Sequence, residues 1–335
     1  MSFFQKKIHY ISDGANWVIK EIGESLNREL KDEGFELKES SLFCLNGINH
    51  FSSRYSAKKM FIKSPFVKNI LTYFHGEDSD IKIINAIKKN QHNIEIIHTS
   101  CQITKEHLIR CGISEKKIVI IPIGIDVGFF SPVDEGKKKE IRKEFGIPED
   151  ATVIGSFQKD GNGWGEGLEP KLCKGPDHFC DAVELINKEK EVFVFLTGPS
   201  RGYVKKRLEE SGIKYKHIFL DNYKDITKCF NLLDIYLVSS RLEGGPRAPM
   251  ECHASGVPVV STLVGQVPDM IEDGENGFIV EVGDTEAMAK SCLKILNNPE
   301  LSKKFVQRGI ETVKRFDYKV ISSEYMEKLY KPLMK

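Results

Sequence analysis

Short apolar runs recur along the chain, and between them apolar residues recur at three- and four-residue intervals. The runs have the length of buried strands, and the intervals give one face of a helix. Lys7-Ile8-His9-Tyr10-Ile11 reads as a first strand and Ser12-Asp13-Gly14-Ala15-Asn16 as a loop. A helix follows over 17–30, carried by Ile19, Ile22, Leu26 and Leu30. Further strands are predicted over 69–74, 94–98 and 117–122.

The texture changes at the charge-rich segment 134–140, which a short helix and Gly146-Ile147-Pro148 follow. A fresh strand is predicted over 151–157, then others over 192–196, 218–220, 235–239 and 258–261, with a helix over 225–233. From 285 onward the spacing is helical, broken at Phe316-Asp317-Tyr318. Strands alternating with helices predict parallel sheets in an α/β fold. The expected division is a short first domain over 1–132, a linker over 133–150, a second domain over 151–315 and a final helix over 316–335 that packs back on the first. One loop stands apart: residues 160–170 hold four glycines and Trp164.

A chain of 335 residues is comfortable for two such domains. Its 49 basic and 48 acidic residues give a net charge of +1, so no global field favours nucleic acid. None of the eight cysteines forms a Cys-x-x-Cys pair, which leaves a zinc site or a disulfide framework without support. Scattered thiols fit a reducing compartment. The first residues lack the apolar stretch of a signal peptide, and no run approaches the ~18 apolar residues of a membrane span. The expected location is the cytoplasm, with peripheral contact at the inner face of the membrane.

The candidate chemistry lies at Glu243-Gly244-Gly245-Pro246-Arg247-Ala248-Pro249-Met250-Glu251. An apolar strand ends just before it, and a helix is predicted to open near Pro246 or Arg247, where proline is tolerated because first-turn amides are unpaired. Those amides and the helix dipole attract a phosphate. Gly244 and Gly245 let a ligand approach the backbone. Glu243 and Glu251 are then placed to hold hydroxyl groups at the carboxyl end of a strand, where open α/β sheets bind ligands.

The stretch 238–245 with Glu251-Cys252-His253-Ala254-Ser255-Gly256-Val257-Pro258-Val259-Val260-Ser261 resembles the E-x7-E signature of glycosyltransferase family 4. Val264-Gly265-Gln266-Val267-Pro268, Asp273-Gly274-Glu275-Asn276-Gly277 and Lys117-Ile118-Val119-Ile120-Ile121-Pro122 resemble other stretches of that family. The resemblance implies a GT-B fold, with two Rossmann-like domains facing a cleft, the first on the acceptor side and the second binding the nucleotide-sugar, and retaining transfer.

By that resemblance Glu251 accepts from ribose hydroxyls, and Glu243 stabilises charge at the anomeric carbon of the transferred sugar. Backbone around Gly244, Gly245, Pro246, Arg247 and Ala248 meets the diphosphate or the sugar. Lys174, in Lys174-Gly175-Pro176-Asp177, matches the lysine that holds the leaving diphosphate. The family's arginine is replaced by Ser156, and Lys159 is the substitute candidate, with Lys171 behind it. His75, after the strand over 69–74, is the candidate near the donor sugar, Gly14 approaches the diphosphate from the first domain, and Tyr223 lies where the base is expected. The implied partners are a UDP- or GDP-sugar donor and a glycan or lipid-linked acceptor. No metal or other cofactor is expected, because cationic side chains and helix amides neutralise the diphosphate. The basic and apolar stretch 58–68 is a candidate membrane contact. Two rival readings are a sugar-nucleotide-binding scaffold subunit without catalysis and a sugar-nucleotide epimerase of the same fold.

Overall fold

A computed structural model describes residues 7–11, 18–32, 36–40, 44–58, 64–76, 80–220 and 222–334. The chain divides into two compact units, residues 1–125 with 315–335 and residues 126–314. Each is built on one six-stranded parallel sheet.

The first sheet consists of β1 (Lys7–Ile11), β2 (Glu36–Ser40), β3 (Gly47–Phe51), β4 (Val67–Thr72), β5 (Ile96–Thr99) and β6 (Ile118–Ile120), in the order β2-β1-β3-β4-β5-β6. Ile11, Phe51, Leu71 and Ile97 pack into a core with Ile83, Ile84 and Ile87 of the helix Ile81–Asn90. Strands β2 and β3 went unpredicted because β2 is largely polar and β3 buries Asn49 and His50, which hides the apolar period.

Those buried polar groups form a chain of hydrogen bonds with a fixed direction. The Ile121 carbonyl can only accept, so His98 Nε2–H donates to it at 3.0 Å. Thr72 Oγ1 then donates to His98 Nδ1 at 3.0 Å and accepts from His50 Nε2–H at 2.8 Å. Tyr330 OH donates to His50 Nδ1 at 2.7 Å. Both imidazoles are thereby held neutral as Nε2–H tautomers, and residues of the carboxyl-terminal segment are tied to β3, β4 and β5. Burial pushes the His98 imidazole down to about 4, against the pull of the Ile121 carbonyl. Burial, and then His98, lower His50 as well.

The second sheet consists of β7 (Val153–Phe157), β8 (Phe193–Thr197), β9 (Lys214–Ile218), β10 (Ile235–Val238), β11 (Val259–Thr262) and β12 (Phe278–Val280), in the order β12-β11-β10-β7-β8-β9. Its core joins Ile154, Leu196, Leu237 and Val260 to Phe179, Val183 and Ile186 of the helix Pro176–Glu189. At Gly155 a Cβ would stand 2.3 Å from Leu233 Cδ1, so this central strand approaches its neighbours too closely for a side chain. The strand predicted over 218–220 is corrected to β9, which ends at Ile218 and leaves Phe219 exposed. As an edge strand it alternates charge with partly buried residues, the usual guard on an open edge.

Chain order reverses between β7 and β10. From β7 the chain winds one way to β8 and β9, and from β10 the other way to β11 and β12. Loops leaving the carboxyl ends of β7 and β10 therefore diverge, which opens a crevice at this switch point. Segment 133–150 carries the helix Glu135–Glu144, and Arg142 within it is buried. Its guanidinium donates to the carbonyls of Leu232, Glu149 and Ala151 and pairs with Asp234 at 2.7 Å, which anchors the helix inside the second unit.

Candidate active site

After β7 the chain runs through the glycine loop to a short turn, Leu172–Lys174, which Gly175 closes with φ +60°. A Cβ at Gly175 would stand 1.9 Å from the Ser239 carbonyl oxygen, so only glycine allows the turn to sit against the end of β10. Ser239 Oγ donates to the Gly175 carbonyl at 2.8 Å, and the amides of Arg241 and Leu242 donate to the Cys173 carbonyl. Arg241 adds a two-pronged contact to Asp177, at 2.7 and 2.5 Å, on the helix that follows. Burial opposes the charge on Asp177, but these hydrogen bonds hold its carboxyl below the usual range.

This stitching brings Lys174 to Glu243. Lys174 Nζ donates to Glu243 Oε1 at 2.6 Å, and Ser240 Oγ donates to the same oxygen at 2.8 Å. Burial works against the Lys174 ammonium, but the Glu243 carboxylate outweighs it and raises its pKa. Behind them Gly265, with φ +49°, lies so close that a Cβ would stand 2.5 Å from the carbonyl oxygens of Glu243 and Gly244. Thr262 Oγ1 donates to the Ser240 carbonyl at 2.6 Å. The residues that resemble the family's motifs thus pack on one another.

The helix opens at Ala248, with Arg247 as its N-cap and Pro249 in its first turn, slightly later than predicted. It carries Glu251, only 6% exposed, and turns it toward Tyr223, whose hydroxyl donates to Glu251 Oε1 at 3.0 Å. Arg247 Nη2 lies 3.4 Å from the same oxygen, one turn away. The Tyr223 ring stacks on Phe129, with centroids 6.4 Å apart and planes at 10°. Phe129 went unnoticed in the sequence because nothing around it is motif-like.

The other candidates lie elsewhere. Lys159 Nζ stands 3.7 Å over the ring of Trp164, within the glycine loop. The Ser156 position is served by Arg201, which the sequence reading missed: its Nη2 donates to Ser156 Oγ at 3.2 Å and lies 3.1 Å from Asp160. Arg201 and Asp160 are both fully buried, so this arginine braces β7 and β8 and does not face a ligand. His75 is exposed in the first unit, where its carbonyl accepts from Arg54. Gly14, with the rest of 12–17, lies outside the described residues, as do Asp221 and much of the basic stretch at 59–63.

The chain does contain an Asp-x-Asp spacing, Asp78-Ser79-Asp80. Of these Asp80 is described, and it pairs with Arg54 at 2.8 Å. Among the described residues no cluster of three or more His, Cys, Asp or Glu is placed to hold a metal. A cavity of about 610 Å³, lined by Thr152, Asp234, Gly256 and Pro258 among others, opens at the amino ends of β7, β10 and β11, away from Lys174 and Glu243.

Residues 167–312 match the family model described as glycosyl transferases group 1. This region is similar to the domain that glycosyl transferases group 1 share. The resemblance to glycosyltransferase family 4 therefore stands on the E-x7-E stretch that carried it. The chain is 26% identical over 192 residues to N-acetyl-alpha-D-glucosaminyl L-malate synthase of Bacillus anthracis, covering 56% of this chain and 47% of that one. It spans about half the length of the curated relatives it matches first. Over almost the whole fold it is similar to HepE of Anabaena solved with UDP-glucose (TM-score 0.79, 15% identity, 96% of this chain and 99% of that one). A glycosyltransferase from Rickettsia africae gives a TM-score of 0.75 at 17% identity, covering 98% of each chain. The fold is GT-B, with two Rossmann-like domains, as expected. Among the described residues no helix is long and apolar enough to cross a membrane.

Proposed function

We propose that this protein transfers a sugar from a nucleotide diphosphate sugar to an acceptor hydroxyl with retention of anomeric configuration. The observation that carries the reading is the 2.6 Å pair of Lys174 and Glu243 beside Gly244-Gly245 and the start of the helix Ala248–Ser255. The pair puts a cation and an anion side by side, and a sugar diphosphate calls for both. Lys174 and the first-turn amides neutralise the leaving diphosphate, and Glu243 faces the positive charge that grows on the anomeric carbon.

In the reaction the bond from the anomeric carbon to the diphosphate oxygen breaks. A bond to the acceptor oxygen forms on the same face, and the departing oxygen takes the acceptor's proton. Glu251 receives the ribose hydroxyls, with Tyr223 and Arg247 holding its orientation. Cationic side chains and amides supply the charge, so the reaction proceeds without a metal. A UDP-sugar is the favoured donor, supported by the likeness to HepE, which was solved with UDP-glucose. The acceptor is a glycan or lipid-linked sugar, in the assembly of a surface polysaccharide or glycoconjugate.

The test is incubation of the purified chain with UDP-, GDP- and ADP-sugars, following both nucleotide binding and nucleotide release. Binding without release against every acceptor supports a scaffold subunit, and an altered sugar without transfer supports an epimerase. Either result overturns the reading.

A further inference from the structure

The loop over 160–170 is absorbed by none of the roles above, yet it is built with care. Asn162 N donates to the Glu169 carbonyl and Lys171 N to the Asp160 carbonyl, which closes the loop on itself. Gly202 N and Tyr203 N donate to the carbonyls of Glu166 and Gly167, and Ser200 Oγ donates to those of Gly163 and Gly165. At Gly167, with φ +76°, a Cβ would stand 2.2 Å from the Ser200 carbonyl oxygen. The glycines therefore serve close packing of backbone on backbone. The buried Asp160–Arg201 pair fixes the loop's first residue to the end of β7. At the tip Trp164 is 71% exposed, a large apolar surface that the folded chain leaves in water.

We infer that this loop is a saccharide-binding subsite of the transfer reaction, with Trp164 as the platform on which a pyranose ring of the acceptor stacks. The inference rests on the glycosyl-transfer reading. The loop starts at the carboxyl end of β7 and leads through Lys171 into Lys174, so one stretch of chain carries both the loop and the lysine of the proposed transfer site. Indole offers a broad apolar face with a negative quadrupole, which suits the polarised C–H face of a sugar. The Lys159 ammonium, 3.7 Å over one face of the ring, fixes the platform, so a sugar stacks on the opposite face. Exposed Asn162, Glu166 and Glu169 share the loop and can take further hydroxyls. With Lys159 and Lys171 flanking these two carboxylates, the loop carries no net positive charge to draw it to an anionic bilayer, which favours the saccharide as the occupant. The donor end is already provided for by Lys174, Glu243 and the Ala248–Ser255 helix, so the loop takes a sugar unit of the acceptor beyond the part that the first domain is expected to hold.

The chain has two tryptophans, so the Trp17→Phe protein reports Trp164 alone. Its emission is followed while methyl glycosides of glucose, galactose, mannose and N-acetylglucosamine are added, and separately with phosphatidylcholine–phosphatidylglycerol vesicles. A saturable change with at least one glycoside and none with vesicles is expected. Calorimetric titration of the unaltered chain with that glycoside gives a second readout, and Trp164→Ala, at an exposed tip, is expected to weaken it about tenfold. Silence toward every glycoside, a response to vesicles alone, or equal affinity in Trp164→Ala overturns the subsite. Nucleotide release from a UDP-sugar in the same preparation keeps the two readings separable: turnover without a glycoside response discards the subsite and leaves the transfer reading in place.

Discussion

Lys174 Nζ and Glu243 Oε1 stand 2.6 Å apart across 69 residues of sequence. The contact depends on Gly175 at the end of one loop and Ser239 at the start of the other, where backbone meets backbone with no room for a side chain.

On the proposed reading, in which Lys174 neutralises the departing diphosphate, its removal should slow the reaction more than it weakens nucleotide binding. Lys174→Ala is expected to lower kcat by roughly 100- to 1000-fold while UDP affinity, read by calorimetry, falls much less. An equal loss in both would place Lys174 in ground-state binding alone.

Glu251 should show the opposite pattern. Glu251→Ala is expected to raise donor KM at least about tenfold, as when a charge-assisted hydrogen bond is lost. Tyr223→Phe removes only the hydroxyl that donates to Glu251 and should give a smaller rise in donor KM with kcat near that of the parent chain. An unchanged donor KM in both variants would remove Glu251 and Tyr223 from the nucleotide site.

Gly175→Ala combines a left-handed backbone with a collision at 1.9 Å, whereas Gly212→Ala has φ +66° and nothing within 4 Å. The left-handed conformation alone costs about 1–2 kcal/mol. Urea unfolding should show that loss for Gly212→Ala, and a larger loss for Gly175→Ala accompanied by loss of activity. Equal midpoints for the two would mean that the backbone yields at Gly175.

The buried histidines predict acid sensitivity with a definite sign. His98 has a folded pKa of about 4, below the ~6.5 of an unfolded histidine. Between those values the unfolded chain binds a proton that the folded chain refuses, so stability falls as pH falls from about 6.5 toward 4 and is level above that window. The full contribution of His98 is on the order of 3 kcal/mol. Unfolding free energies compared between wild type and His98→Gln should differ in slope across that range. Parallel slopes would mean that protons reach His98 without cost in the folded state.

The sequence by itself determined the α/β class, the resemblance to the family and the motif residues Lys174, Glu243 and Glu251 of the candidate site. Those rest on local order: buried strands appear as apolar runs, and the Gly-Gly-Pro turn between two glutamates is a contiguous motif. Residues whose role depends on the chain's return went unread. His50 and Thr72 look like polar interruptions until Tyr330 and His98 complete their hydrogen bonds. Arg201 serves Ser156 only because β7 and β8 lie side by side. Lys159 stands beside the motif residues in sequence, yet the loop's own packing turns it onto Trp164. Periodicity and motif report what each segment can bury or bind. Which distant partner satisfies a buried polar group, and which cation reaches Glu243, is decided only when the sheet order brings the ends of β7 and β10 together.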